Sequence, residues 1–527
     1  MTATKAIDTE SGKDASSGGA PASGGGIRQI FGGTNLRQYG MLGALIVVAL
    51  FFQVMSGGKM LTPSNAQNIL NGNSYVLILA IGMLFVIITG QIDLSVGSVA
   101  AVVGICTALS INFWSFPWWL GILFGLFIGI LIGMWQGSWL AFVGVPGFIT
   151  TLAGMMLFRG LYQYVGKASS QPAPPEIRFI GGGYLPEWGP STGLNNSTLL
   201  LGIFALAVLV FLDFRKRARV TKAGGTPAPL WAAMVRLGVI AIALGYLTWL
   251  FGSGRAGTSF PVTGVILVVL GLVYNFIATR TTVGRGVYAV GGNKAAAALT
   301  GISVKKIYFL VMTNVSFLSA VAGIMYFGRA TSTGPSDGVG WELDAIAAVF
   351  IGGAAVSGGI GTVTGSLIGG LVMAVLNNGL YLMGVGSDMT QIIKGLVLLI
   401  AVALDLYSKA QGKPSIIGAL QRGLNPRSLE TELQAGAAVN RDTGNPLWAV
   451  LSFLVFPLGL VLWFVWRKDR PNSARQARSG VIAAVVVGVF VGVIAIFYAL
   501  AETSGLASCS GPARNPTVLH PSIQQRR

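Results

Sequence analysis

Hydrophobic residues make up 53% of this 527-residue chain and charged residues only 10%, which identifies an integral membrane protein because soluble domains are roughly a quarter charged. The net charge of +18 comes mainly from loops between apolar runs, a pattern that argues against nucleic-acid binding. Two cysteines, Cys106 and Cys509, and a single histidine, His520, argue against a disulfide framework, a histidine-based zinc site and histidine-dependent catalysis.

Residues 1–38 are rich in Ser, Gly and Ala and predict a disordered cytoplasmic lead without a signal peptide. Apolar runs of about 20 residues then predict an all-α, polytopic transmembrane bundle of about 10–14 spans, some of them interrupted or re-entrant. The membrane domain covers 39–406. A cytoplasmic linker (407–445), a hydrophobic hairpin extension (446–501) and a polar tail (502–527) follow. The predicted spans are 39–56, 75–90, 93–111, 118–136, 139–163, 198–212, 231–251, 261–278, 307–327, 342–356, 362–383, 391–406, 446–466 and 480–501.

The basic loops fix the orientation of these spans. Counting from a cytoplasmic N-terminus places 164–197 outside and 213–230, 279–306 and 407–445 inside, and the three inside loops carry the basic residues expected there. The segment 467–479 is also basic, yet the count places it outside. Either the last two apolar runs form a hairpin that does not cross, or an upstream span is miscounted.

Two rows of glycines recur at every fourth position and predict close packing between helices, within one chain or between two. They are Gly121, Gly125, Gly129 and Gly133, and Gly361, Gly365 and Gly369.

Asp93 is a carboxylate between two apolar runs. Such a group costs about 2.5–3.5 kcal/mol at the bilayer centre unless it faces protein or water. With Ser95 beside it, Asp93 is positioned to cap a helix over 94–111, and a direct role in a solute pathway is the alternative.

Glu342 and Asp344 introduce a second short run of small residues that ends in glycines. Its similarity to the Asp93 segment is either a weak internal repeat, which would place interrupted helices around a central site, or a coincidence. Asn377 and Asn378 add amides within a span, where they can bind a polyhydroxy solute or hydrogen-bond between helices.

The loop 279–306 contains GGNKAAAALTGI at 291–302, which predicts a short helix. Asn293 is a good N-cap, and Leu299 and Ile302 give the helix a narrow apolar face. A helix of this kind suits a groove on a cytoplasmic partner, or it is a simple connecting turn. The chain lacks a phosphate-binding loop, so nucleotide energy would have to come from another polypeptide.

Four strings resemble the permease subunits of bacterial monosaccharide ABC importers. They are IDLSVGS (92–98), VPGFITTLAGMMLFRG (145–160), GRGVYAVGGNKAAAALTGI (284–302) and ELDAIAAVFIGG (342–353). They occur in the same order, within a resemblance that runs from about 40 to 406. The loop 164–197 and the extra spans near 198–251 look most like the xylose type, with ribose, galactose and multiple-sugar permeases as near relatives.

The resemblance implies a permease homodimer in membrane lipid, driven by a cytoplasmic ABC ATPase and supplied with a monosaccharide by an extracytoplasmic binding protein. ATP and Mg would bind the ATPase, and this chain would hold no cofactor or metal. The resemblance assigns ATPase coupling to Gly292, Asn293, Ala296, Ala297, Leu299, Gly301 and Ile302. We expect the pathway, or its support, to include Asp93, Ser95, Phe148, Glu342, Asp344, Asn377 and Asn378.

Two positions depart from the family pattern. Gln91 stands where relatives often carry Glu or Gly, and Asn377 stands where the xylose type tends to carry Asp, which leaves the sugar open. A secondary transporter driven by protons or sodium, with the membrane carboxylates as coupling groups, is the alternative function. An enzyme is disfavoured because no nucleophile–base pair or metal-ligand set is present.

Overall fold

The computed structural model describes residues 36–410 apart from 168, 191–192, 226–229 and 255–256, and only isolated positions between 452 and 481 beyond them. The chain divides into two compact units, Met1–Lys413 and Pro414–Arg527. The predicted lead (1–38), linker (407–445), hairpin extension (446–501) and tail (502–527) therefore lie almost entirely outside the described residues.

The first unit is built from helices and one two-stranded ribbon. The helices are α1 (Leu36–Met55), α2 (Pro63–Ile88), α3 (Val96–Asn112), α4 (Trp118–Ser138) with a π-helical continuation (Trp139–Val143), α5 (Gly147–Gly166), α6 (Pro175–Gly182), α7 (Asn196–Lys222), α8 (Leu230–Gly252), α9 (Val262–Arg280), α10 (Thr282–Gly292), α11 (Lys294–Leu299), α12 (Val304–Arg329), α13 (Trp341–Ile351), α14 (Val363–Leu382) and α15 (Ser387–Ala410). The antiparallel ribbon pairs β1 (Gln171–Pro172) with β2 (Ser332–Thr333).

The prediction of an all-α, polytopic membrane protein is confirmed. Among the described residues, seven helices are long and apolar enough to cross a membrane, and two shorter apolar helices, Gly40–Met55 and Val96–Asn112, accompany them. The seven are Pro63–Ile88, Trp118–Val143, Asn196–Lys222, Leu230–Gly252, Val262–Arg280, Val304–Arg329 and Val363–Leu382.

The centre of the bundle is formed by α2 and α12. In its most apolar stretch, 83% of the residues of α2 are buried, because the helix is apolar on all sides and is surrounded by protein. α12 packs against α2, α3, α4 and α6. The hairpin α7–α8 is peripheral, with 6% and 11% of the corresponding residues buried, so its apolar side chains face lipid.

The glycine rows lie at contacts between helices of the same chain. A Cβ atom on Gly129 would lie 2.5 Å from Ala320 Cβ, and one on Gly133 would lie 2.7 Å from Thr313 Cα, so α4 approaches the backbone of α12. Along the second row, a Cβ atom on Gly369 would lie 2.5 Å from Gly352 N, just after α13. Small residues permit this approach where lipid gives no hydrophobic driving force.

Gly133→Ala is expected to destabilise the fold by about 1–3 kcal/mol, because the new methyl group meets backbone that cannot rotate away. Unfolding of the purified protein in detergent measures the change. The matched control is Gly160→Ala within α5, where a Cβ atom would meet nothing within 4 Å. That control should be neutral or stabilising by up to about 1 kcal/mol. Equal effects at the two sites would contradict the packing argument.

Several helix boundaries differ from the predicted ones for clear local reasons. The second predicted span, 75–90, belongs to the longer α2, whose polar first turns begin with a proline at the first helical position. The predicted span 139–163 is split at Gly144, which has φ +88°, and at Pro146, which cannot continue a helix. The short predicted span at 198–212 lies inside the 27-residue α7.

The loops gather at two ends in agreement with the count of spans. At one end, β1 pairs with β2, and Tyr184 bridges to Pro261. At the other end, Gly359 N donates to Ile88 O over 2.8 Å, and Gly147 N donates to Gln91 Oε1 over 3.1 Å. The count places the first set of loops outside and the second inside, so we refer to the outer and cytoplasmic ends below.

Candidate functional site

The segment 291–302 folds as the sequence predicts, with a defined stop at each side of α11. Asn293 Oδ1 accepts a hydrogen bond from Ala296 N over 3.0 Å, which caps the helix N-terminus. Gly301 has φ +84°, and the amides of Gly301 and Ile302 donate to Ala298 O and Ala297 O. This is a Schellman motif, which ends a helix with a left-handed glycine.

One large apolar side chain of α11 points away from the protein. Leu299 is 90% exposed, whereas Ala297 is 4% exposed and holds the helix against the core. Gly292, Asn293 and Ala296 are also exposed. The expected apolar face of Leu299 and Ile302 is therefore wrong in one respect, because Ile302 packs on the core. The Schellman turn reverses the chain between these two residues.

Asp93 lies in a buried polar network where α2 has ended and α3 has not begun. Asp93 is 0% exposed, and its Oδ1 accepts hydrogen bonds from Ser95 N (2.7 Å) and Ser95 Oγ (2.6 Å). Gln136 Nε2, from α4, donates to Ser95 Oγ over 2.8 Å. The predicted helix start is shifted, because α3 begins at Val96 with Ser95 as its N-cap residue. Asp93 instead closes the turn before the helix.

Ser95→Ala is expected to destabilise the protein by about 1–3 kcal/mol, because it removes a donor to the buried Asp93 and an acceptor for the fully buried Gln136 amide. Thermal unfolding in detergent measures the loss. Ser138→Ala is the control, since its exposed hydroxyl donates to Met134 O at the surface. A Ser95 variant as stable as the control would show that the network is not stabilising.

The starts of the two carboxylate segments meet inside the bundle. A Cβ atom on Gly97, in the first turn of α3, would lie 2.7 Å from Glu342 Oε2 and would overlap Gly338 O. Glu342 is 7% exposed, and the charge of Arg159 acts on it from α5. The N-terminal, positive ends of α3 and α13 thus lie close together beside carboxylates, an arrangement that suits polar ligands within a membrane.

Asp344 lies two residues after Glu342, on a different face of α13, and it is paired. Lys394 Nζ, from α15, donates to Asp344 Oδ2 over 2.9 Å, and the side chains are 25% and 8% exposed. Asn377 lies beside the same carboxylate. Asn378 instead accepts a hydrogen bond from Asn65 Nδ2 over 2.8 Å, which joins α14 to α2. The two neighbouring amides therefore have different surroundings.

An aromatic cluster and an open cavity lie on the outer side of these carboxylates. The ring centroid of Trp341 is 4.3 Å from that of Tyr75 and 4.4 Å from that of Tyr326. The cavity, of about 460 Å³, lies one to two turns further out along α2 and α12 and is lined in part by Asn71 and Arg329. Polar and aromatic groups therefore continue from the outer end toward Glu342 and Asp344.

Phe148 and Gln91 lie near the cytoplasmic end. Phe148 is 52% exposed on the first turn of α5, away from the aromatic cluster. The Gln91 side chain accepts from Gly147 N, so this departure from the family pattern joins the end of α2 to the start of α5.

Sequence reasoning missed Lys394 and Gln136. Each has a visible signal, since a cation or an amide within an apolar run must find a partner in the protein. In the sequence analysis above, this rule is applied to the carboxylates and to the Asn377–Asn378 pair, and not to Lys394 or Gln136. The aromatic cluster had no signal, because its rings come from three helices distant in sequence.

The amino-acid sequence is similar to those of known membrane permeases. The family model described as the branched-chain amino acid transport system permease component matches residues 65–402. Over 333 residues the chain is 38% identical to the xylose transport system permease protein XylH of Escherichia coli (strain K12), covering 62% of this chain and 80% of that protein. It is 32% identical over 313 residues to the ribose import permease protein RbsC of Haemophilus influenzae, covering 59% and 75%. No solved structure matches the chain.

The family match includes α2 through most of α15, and with them the segment 291–302, the Asp93 turn and the Asp344–Lys394 pair. Because this match covers more than half of the chain, the protein belongs to the matched family of transport permeases and is the membrane-spanning, non-enzymatic subunit of an ABC importer.

Proposed function

We propose that the chain imports a monosaccharide, with D-xylose as the substrate, by alternating access within a permease homodimer. ATP and Mg bind a separate ATPase that docks on the segment 279–306. The observation that carries this proposal is the exposed Leu299 on a helix capped at both ends, at the end of the bundle where the basic loops lie. An apolar side chain on a short rigid helix fits a groove in a cytoplasmic partner.

The polar groups inside the bundle support a polyhydroxylated substrate. Glu342, Asp344 and Asn377 offer hydrogen-bonding groups, and Trp341 offers an aromatic face beside them. The open cavity with Arg329 and Asn71 lies at the outer end, where the binding protein would deliver its sugar. Identity is higher to a xylose permease (38%) than to a ribose permease (32%), which favours D-xylose.

Transport in proteoliposomes tests the proposal. The chain is purified with its ATPase, reconstituted, and given the binding protein with labelled D-xylose, D-ribose or D-galactose. We expect accumulation that requires ATP and favours D-xylose. Preference for another sugar would overturn the substrate. Uptake that continues without ATP but stops with a protonophore would instead establish the ion-coupled alternative.

A further inference from the structure

The cytoplasmic end contains a junction of three backbone segments without side chains between them. The segments are 88–90 at the end of α2, 291–292 at the end of α10, and 358–359 in the loop after α13. Gly359 N donates to Ile88 O over 2.8 Å. A Cβ atom on Gly291 would lie 2.8 Å from Gly359 N and would overlap Ile88 O, and one on Gly358 would lie 2.9 Å from Ile88 O. We call these residues the backbone junction.

Two of the three arms of the junction lead to segments that carry buried carboxylates. The segment 88–90 continues directly into the turn that holds Asp93, and the loop 352–361 follows α13, which carries Glu342 and Asp344. The third arm is the C-terminal end of α10, which is separated from α11 by Asn293 alone. The junction therefore contacts the end of α10, next to the helix α11 that carries Leu299, and it also contacts both segments that carry buried carboxylates.

A side-chain hydrogen bond fastens α10 to the same loop. Tyr288 Oη donates to Gly361 O over 2.7 Å. Burial raises the pKa of the Tyr288 phenol, so the hydroxyl keeps its proton and remains a donor at physiological pH. Gly361 O immediately precedes Thr362, the N-cap residue of α14.

Contact between backbones transmits displacement better than contact between flexible side chains. A side chain can change rotamer and absorb a small shift, whereas close-packed backbone segments must move together or separate. When α10 and α11 move, the backbone at Gly291 and the backbone at Gly359 must therefore move together or separate.

We propose that the backbone junction, fastened by the hydrogen bond from Tyr288 to Gly361, transfers movement of the coupling helices to α13 and to the Asp93 turn. This inference rests on the proposed function, in which an ATPase moves α11. Tyr288 is a positioning residue, since it acts through the loop 352–361 and not on the sugar. It sets how much transport each ATP hydrolysed produces.

Tyr288→Phe tests the proposal by removing one oxygen atom. In the reconstituted complex, we expect the ATPase to bind and hydrolyse ATP as in the wild type, while sugar transported per ATP falls about fivefold, the factor that loss of one hydrogen bond gives. Tyr308→Phe is the matched control. Tyr308 is 8% exposed and lies under Lys294, and its hydroxyl has no hydrogen bond within the described part of the chain. Wild-type transport per ATP in Tyr288→Phe would overturn the inference.

Spin labels measure the transferred movement independently. Cys106 and Cys509 are first replaced by serine. A label at Leu343→Cys then reports on α13, and a label at Thr300→Cys reports on the turn that ends α11. In the wild type, ATP should change the spectrum of both labels. In Tyr288→Phe, the label at position 300 should change as in the wild type, and the label at position 343 should change less. An unchanged response at Leu343 would contradict the junction. Absence of a response at Thr300 in the wild type would instead contradict ATPase docking, so the two failures are distinguishable.

Discussion

Leu299→Asp is expected to abolish sugar uptake and to release the ATPase from the complex while the protein remains folded in the membrane. Leu299 is 90% exposed, so the substitution disturbs no internal packing. In the complex, however, it would place a charge in an apolar groove without a partner. Truncating a central interface residue costs about 2 kcal/mol or more, which is roughly a 30-fold weaker Kd.

Co-purification of the ATPase through a tag on the permease measures the effect, and uptake in the same cells gives the functional consequence. Leu299→Met is the matched control, because it keeps an apolar side chain of similar length and should behave as wild type. Gly301→Arg is a poorer probe, since φ +84° strains any side chain and would unfold the end of the helix. Normal co-purification of the Leu299→Asp variant would show that the ATPase docks elsewhere.

Lys394→Met is expected to destabilise the fold by about 3 kcal/mol, because it leaves the Asp344 carboxylate buried without its partner. The loss is at the lower end of the range for buried ion pairs because Lys394 is 25% exposed and water screens part of the interaction. The loss is measured from unfolding in mixed detergent. Lys305→Met, at an exposed position on the first turn of α12, should change stability by less than about 0.5 kcal/mol.

The double variant Asp344→Asn with Lys394→Met separates the charge from the packing. A neutral amide at position 344 needs no cation, so the double variant should recover about 2 kcal/mol of the loss. Transport by this variant then shows whether the ion pair also serves the pathway. A double variant less stable than Lys394→Met alone would show that the contact between α13 and α15 depends on Asp344 itself.

Local signals predicted the parts of this chain that short-range chemistry determines. The cap at Asn293, the left-handed glycine and the run of alanines each act within a few residues, so α11 could be foreseen. The opposite directions of Leu299 and Ile302 could not, because they depend on a turn whose packing involves the distant core. The resemblance assigns ATPase coupling to this segment, which stays a prediction, and the structure shows which of its residues are exposed.

The features that the sequence did not predict depend on contacts between residues far apart in the chain. Asp93 could be recognised as a group needing partners, yet its link through Ser95 comes from Gln136 in another helix. Glu342 and Gly97 are far apart in sequence, and only the folded chain brings the starts of α3 and α13 together. A single sequence does not show that two distant residues are in contact when neither residue type requires the other as a partner.

The hairpin α7–α8 lies at the edge of the helical bundle. It is largely uncovered by protein, and its contacts with the bundle include the bond from Gln67 to Phe251 O at the outer end. Two crossings also return the chain to the side from which it started. Removal of the pair would therefore leave α9–α15 in the same orientation across the membrane, at the cost of the acceptor that Phe251 O offers to Gln67.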